Sequence, residues 1–151
     1  FGTAAIGFAL DQVTKAMALA KLGRGQVVEV VDHWLQFRLV RNAGAAFSLG
    51  ESLTWAFTIL AAVVVVGVAL VARRVTNRGW AFALGLLVAG AAGNLSDRLF
   101  RQPGFGRGHV IDFIDYAGRF VGNVADIAIV AAMVMVVVAA VRGVGFDGTR
   151  Q

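Results

Sequence analysis

The chain has 151 residues, enough for one domain, but 58% of them are hydrophobic, only 15% are charged and the mean hydropathy is +0.75. A soluble domain lies nearer ~45–50% apolar and ~25% charged, so the composition argues against one. The net charge of +5 comes from bases scattered between apolar runs, which fits membrane flanks rather than a nucleic-acid surface, and the absence of cysteine excludes disulfides, thiolate metal sites and a cysteine nucleophile.

Four transmembrane helices are predicted, because a hydrocarbon core takes ~20 mostly apolar residues. The first covers about residues 1–22 and is interrupted by Asp11, Lys15 and Lys21. It opens at an apolar Phe1 with neither Met nor a basic leader, so residues are expected ahead of it; its charges also set it apart from a cleavable signal peptide. An outer loop at about 23–51 follows. In it Leu35, Phe37 and Leu39 alternate with Gln36 and Arg38, the period of a half-buried strand, QVVEVV at 26–31 offers a second strand, and NAG at 42–44 reads as a turn. A small sheet resting on the membrane surface is expected there, with Trp34 and Phe37 near headgroup level.

The second helix, about 52–72, has no charge in 21 residues. The link RRVTNR, three arginines in six residues, leads to a third helix at about 79–100. An outer loop at about 101–118 holds the only proline, and a fourth helix at about 119–142 has Asp126 as its sole charge between Phe120 and Val141. These runs are too long and unbroken for barrel strands of ~9–11 residues. The expected fold is therefore an all-α polytopic membrane protein, with four transmembrane helices and a small extramembrane β-sheet on the outer face, in a single domain over 1–151. Both long loops fall on one side, and the short basic link marks the other as cytoplasmic.

One phrase occurs twice, as GNLSD (93–97) and GNVAD (122–126). Antiparallel third and fourth helices would bring Asp97 and Asp126 to a similar depth, with Asp126 ~9 Å inside its helix at 1.5 Å per residue. In each phrase an Asn three residues before the Asp shares its helix face and can hold its rotamer, Asn94 for Asp97 and Asn123 for Asp126. Facing carboxylates in a poorly solvated place share one proton, so one is acid and the other base, the chemistry that activates water against a peptide carbonyl. Helix-terminus charges favour the proton on Asp97. The alternative is that such aspartates merely tie helices together.

The ordered blocks LDQVTK (10–15), RNAGAAFS (41–48), GAAGNLSDR (90–98), HVIDFID (109–115) and NVAD (123–126) resemble those of the lipoprotein signal peptidase (signal peptidase II) family, membrane aspartyl proteases that cut the signal peptide from lipid-modified bacterial prolipoproteins. The resemblance spans nearly the whole chain. It implies that Asp97 and Asp126 are the catalytic pair, that Asn94, Asn123 and Ala125 shape the site, and that Asp11 and Asn42 bear on activity or substrate fit. It further implies four spanning helices in the bacterial cytoplasmic (inner) membrane, termini cytoplasmic, the active site near the outer face, and cleavage before the lipidated cysteine. The expected partners are a lipid-modified prolipoprotein and membrane lipids, with no nucleic acid and no cofactor, and a monomer is expected. Gly122 departs from the family, where Phe commonly precedes the second Asn, as does Ile127, where Ser is frequent.

Asp11 and Lys15, four apart, suit an internal ion pair that is either structural or part of the site. The small residues from Asn42 to Ser48, Gly44 among them, let backbone approach a ligand, or form a plain turn. Arg98 points ~100° away from Asp97, toward headgroups or a backbone carbonyl of substrate or loop. Asp112 and Asp115 fall in the loop before the fourth helix, where hydrogen bonding within the loop and helix capping are expected of them rather than a metal site. His33 and His109 are read as interfacial. A proton-coupled transporter or channel subunit, with the paired acids as a relay, is the second reading.

Overall fold

The structure, a computed structural model, describes residues 1–23, 25–44 and 54–149. Residues 45–48 of the RNAGAAFS block, and 52–53 at the expected start of the second helix, lie outside them. The elements run α1 (Gly2–Lys21), β1 (Val27–Val31), β2 (Leu35–Asn42), α2 (Thr54–Ala72), α3 (Arg78–Phe100), β3 (Val110–Tyr116), β4 (Phe120–Gly122) and α4 (Val124–Val141).

Among the described residues three helices, α2, α3 and α4, are long and apolar enough to cross a membrane. The expectation of four is met only that far. α1 forms as a helix, but its three charges keep it below the apolar standard, and two of them, Asp11 and Lys15, turn inward and are buried.

α3 is the centre of the bundle and packs against α1, α2 and α4. Its small buried residues, Gly85, Ala89, Gly90, Ala91 and Gly93, explain how one helix can serve three neighbours, since small side chains let backbones come close. A Cβ on Gly85 would stand 2.9 Å from Thr3 Cβ of α1, and one on Gly90 would run into the Ala125 carbonyl of α4. Asn77 caps the start of α3 by accepting from the N–H groups of Gly79 and Trp80.

The sheet is larger than expected. It has four antiparallel strands in the order β1-β2-β3-β4, with Asn42 opposite Val110, Val40 opposite Asp112 and Phe37 opposite Ile114. The segment read as a loop over 101–118 thus supplies β3, and residues assigned to the start of the fourth helix supply β4. The physical reason is that VIDFIDY, rich in β-branched and aromatic residues, finds β2 as a partner edge. Phe113 and Ile114 then bury against Ala18 of α1, with Leu22, Leu35, Phe37 and Val124 around them, which fixes the sheet to one end of the bundle.

α4 begins at Val124, not at 119. Asn123 is its N-cap, and Asn123 and Asp126 form a reciprocal capping box, so Asp126 sits in the first turn rather than well inside the helix.

Candidate active site

Where sheet meets bundle, two groups of polar side chains adjoin, and they differ in how their charges are met. The first is balanced. Lys15 is 0% exposed, and its Nζ lies 2.9 Å from Asp11 Oδ2, 2.8 Å from Asp97 Oδ2 and 3.0 Å from Asn94 Oδ1. Asp97 also takes Arg101 Nε at 2.5 Å on Oδ1 and the Ile111 N–H at 3.1 Å on Oδ2. Asp11 Oδ1 accepts the Ala125 N–H at 3.0 Å, so Ala125 enters through its backbone, and a side chain at Gly93 would collide with Asp11. The expected Asp11–Lys15 pair is therefore present, and it extends to Asp97. Asp97 thus has a cation against each of its oxygens, Lys15 on Oδ2 and Arg101 on Oδ1.

In the second group no cation is bonded among the described residues. Asp112 is buried; its Oδ1 accepts from Asn123 Nδ2 at 2.6 Å and its Oδ2 from Asn42 Nδ2 at 2.9 Å. Asp126 Oδ1 accepts from Asn94 Nδ2 at 3.0 Å, and Oδ2 accepts from the Asn123 N–H at 3.0 Å. Asn123 Nδ2 also reaches Asn94 Oδ1 at 3.2 Å, closing the network. The side-chain amides are thus crossed relative to expectation: that of Asn94 serves Asp126 rather than Asp97, and that of Asn123 serves Asp112. Burial pushes the Asp112 carboxyl up to about 6; hydrogen bonds from Asn42 and Asn123 and the charge of Lys15 oppose this, while the charge of Asp126 adds to it. Asp126 and Asp112 are thus joined through the amides of Asn94 and Asn123.

Asp112 and Asp115 were expected in a loop and instead lie in β3. In a strand, residues three apart face opposite ways, so Asp112 and Asp115 cannot act together. Asp115 instead accepts from the Gly118 N–H at 2.7 Å and pairs with Arg38 Nε at 2.7 Å, holding the β3–β4 turn. Among the described residues no three His, Cys, Asp or Glu side chains gather so as to hold a metal ion.

The remaining expected residues surround the acids. Asn42 Oδ1 accepts the Gly44 N–H at 2.8 Å, and Thr54 Oγ1 donates to the Ala43 carbonyl at 2.9 Å, so the turn fixes the Asn42 side chain over Asp112. Gly44, at φ 109°, has the left-handed backbone that glycine tolerates, with Phe57 too close for a side chain. Arg98 Cζ stands 5.6 Å from the Phe57 ring centroid, and its buried Nη1 has no hydrogen-bond partner among the described residues. His33 pairs with exposed Asp32, and His109 bonds through its backbone to Gln102; neither reaches the acids.

Asp126 opens onto a groove of about 490 Å³ along α4, bounded by Tyr116, Phe120, Gly122, Ile127 and Val130. Gly122 matters here: a Cβ would lie 2.7 Å from Phe120 Cε1 and 2.9 Å from Asp126 Oδ2.

Comparison with known proteins gives a consistent result. The family model described as signal peptidase (SPase) II matches residues 3–142. The lipoprotein signal peptidase of Streptomyces coelicolor is 45% identical over 149 residues, covering 99% of this chain and 73% of that protein. That of Rhodococcus jostii is 42% identical over 151 residues, covering 100% of this chain and 76% of its own length. A solved structure described as a bacterial membrane enzyme superposes with a TM-score of 0.81 at 27% identity, covering 93% of this chain and 90% of that one.

Proposed function

The chain belongs to the signal peptidase II family and is an aspartic protease of the membrane, and from that premise we propose that it cleaves diacylglyceryl-modified prolipoproteins with Asp112 and Asp126 as its acid–base pair. The observation that carries the pairing is the shared amide network: Asn94 and Asn123 link the two carboxylates, and among the described residues neither has an ion pair. Asp97, the acid expected from the repeated phrase, is assigned a structural role instead, because Lys15 and Arg101 already counter it.

The chemistry follows from their surroundings. Asp112, whose carboxyl burial pushes up to about 6, is the proton holder, and Asp126, at the groove, is the base. A water between them gives its proton to Asp126 as its oxygen attacks the scissile carbonyl carbon. Asp112 gives its proton to the carbonyl oxygen, and Arg98 Nη1, which has no hydrogen-bond partner among the described residues, is a donor for the same oxygen or a neighbouring carbonyl. Asp126 then returns its proton to the leaving amine as the C–N bond breaks, and Asp112 recovers one from the resulting gem-diol as the new carboxyl forms.

The substrate enters from the bilayer along α4 and unwinds at the scissile bond, before the lipid-bearing cysteine, because a helix holds its carbonyls in internal hydrogen bonds. The sheet and the Asn42–Gly44 turn clamp its polar part. In this reading α1 is a fourth spanning helix whose buried charges are tolerated because they pair with α3, the enzyme is a monomer of the bacterial inner membrane with its site near the outer face, and the termini are cytoplasmic.

The test uses purified protein and a prolipoprotein presented with and without its diacylglyceryl group. Cleavage on the amino side of the lipidated cysteine, and only of the lipidated form, is expected. Cleavage elsewhere in the chain, or equal cleavage of both forms, would overturn the substrate assignment.

A further inference from the structure

The end of the bundle away from the sheet carries a feature that the proteolytic site does not use. A groove of about 820 Å³ runs between α2 and the segment after α4, lined by Gly67, Leu70, Val71, Arg73, Arg74 and Phe146. Positions 67, 70, 71 and 74 recur at helical spacing, so they form one stripe of α2, and Arg74 continues it because its N–H still bonds to the Val71 carbonyl at 2.9 Å. A Cβ on Gly67 would meet nothing within 4 Å, so the apolar end of that stripe is open. Opposite stands Phe146, held edge-on against Trp80 at 4.7 Å between ring centroids.

The two ends of the groove differ in chemistry. From Gly67 to Arg74 is ~10 Å along a helix, so an apolar trough gives way to two guanidinium groups within the depth of one headgroup and the first acyl carbons. Among the described residues Arg73, Arg74 and the nearby Arg78 have no carboxylate partner. The one acid in the adjoining tail, Asp147, has its Oδ1 engaged by the N–H and hydroxyl of Thr149 at 2.9 Å and 2.7 Å. A second groove, of about 540 Å³, shares Leu70 and Arg73 with the first, so the two flank Leu70 and converge on one arginine.

We propose that this groove binds one anionic phospholipid, its phosphate held by Arg73 and Arg74, one acyl chain lying along Gly67, Leu70 and Val71 and the other beyond Leu70. Charge complementarity selects the occupant: guanidinium forks match phosphate oxygens in pairs, and a basic pocket at a helix end is a headgroup site when its floor is apolar. A peptide or nucleic acid would leave the trough facing hydrocarbon unfilled. Occupancy would also fasten the tail, since Thr76 and Asn77 donate their N–H groups to the Phe146 carbonyl at 3.1 Å and 3.0 Å, and Trp80 Nε1 donates to that of Val144 at 2.9 Å.

Native mass spectrometry of the full chain in a neutral detergent, titrated with dioleoylphosphatidylglycerol or dioleoylphosphatidylcholine, tests this. One phosphatidylglycerol is expected to be retained at a concentration at least ~10-fold lower than phosphatidylcholine. Arg73→Gln with Arg74→Gln should remove that preference, Arg73→Lys with Arg74→Lys should keep part of it, and Gly67→Leu, which fills the trough and leaves the charges, should weaken phosphatidylglycerol binding. Glycerol phosphate should not displace the lipid. Equal retention of the two lipids, a preference that survives the Gln pair, indifference to Gly67→Leu, or displacement by glycerol phosphate would each overturn the proposal. Melting without added lipid, equal to the parent's, shows that each variant is folded.

Discussion

GNLSD and GNVAD are nearly the same five residues, yet their aspartates meet opposite fates. Asp97 comes near the end of α3, where Lys15 from α1 and Arg101 from the next turn close on both its oxygens. Asp126 comes in the first turn of α4, where among the described residues amides alone bond to it, and a groove opens beside it. A carboxylate matched by cations is a strut; one held by neutral donors beside a second acid can trade protons. The motif fixes an Asn three residues before an Asp, and the neighbouring elements decide what the Asp meets.

The largest effect should come from the aspartate at the groove. Asp126→Asn keeps the shape but removes the base, and cleavage of a lipidated prolipoprotein is expected to fall by ~10³-fold or more while the melting temperature stays near the parent's. Activity within tenfold of the parent would erase the distinction between the two phrases.

Asp97→Asn should do the reverse. It strands Lys15 and Arg101 beside a neutral amide, and loss of one partner from a buried ion pair costs ~3–5 kcal/mol. Denaturation followed by circular dichroism should show that loss, with the folded fraction still cleaving substrate. A stable variant with no cleavage would contradict the assignment of a structural role.

A third difference concerns protons. The Asp112 carboxyl is raised from 3.8 to about 6, so the folded state holds its proton more tightly than the unfolded one. That contribution to stability is complete below pH ~4 and is lost as pH rises through about 6, by roughly 3 kcal/mol at ~1.4 kcal/mol per unit. Arg98, Lys15 and Asp126 bear on the same group, so the comparison is with Asp112→Asn, in which the slope between pH 4 and 6 should be shallower. Equal slopes in parent and variant would place the proton elsewhere.

The smallest expected effect is at Gly122. Its missing Cβ leaves room for the Phe120 ring and for Asp126 Oδ2, so Gly122→Ala should lower kcat by ~10-fold with little change in melting. No change in rate would mean that the Asp126 carboxylate tolerates displacement.

α2, α3 and α4 were legible because each is an apolar run with polar ends, and the Asp11–Lys15 pair because four residues make about one helical turn. β3 was not, because the glycines and proline just before it mark a loop, while VIDFIDY becomes a strand only against β2. That error hid Asp112: in a loop it is one acid among several, whereas in a strand its side chain is aimed. The start of α4 was misplaced by its apolar flank, although N-x-x-D carries a capping box within it. The partners of Asp97 come from α1 and from a turn further along α3, and spacing within the phrase cannot supply them.

The central claim is tested most directly by single-turnover cleavage of one lipidated prolipoprotein by Asp112→Asn and Asp97→Asn, each measured per folded molecule. Cleavage abolished in Asp112→Asn and retained in Asp97→Asn is the predicted result. Cleavage retained in Asp112→Asn and abolished in Asp97→Asn would contradict it.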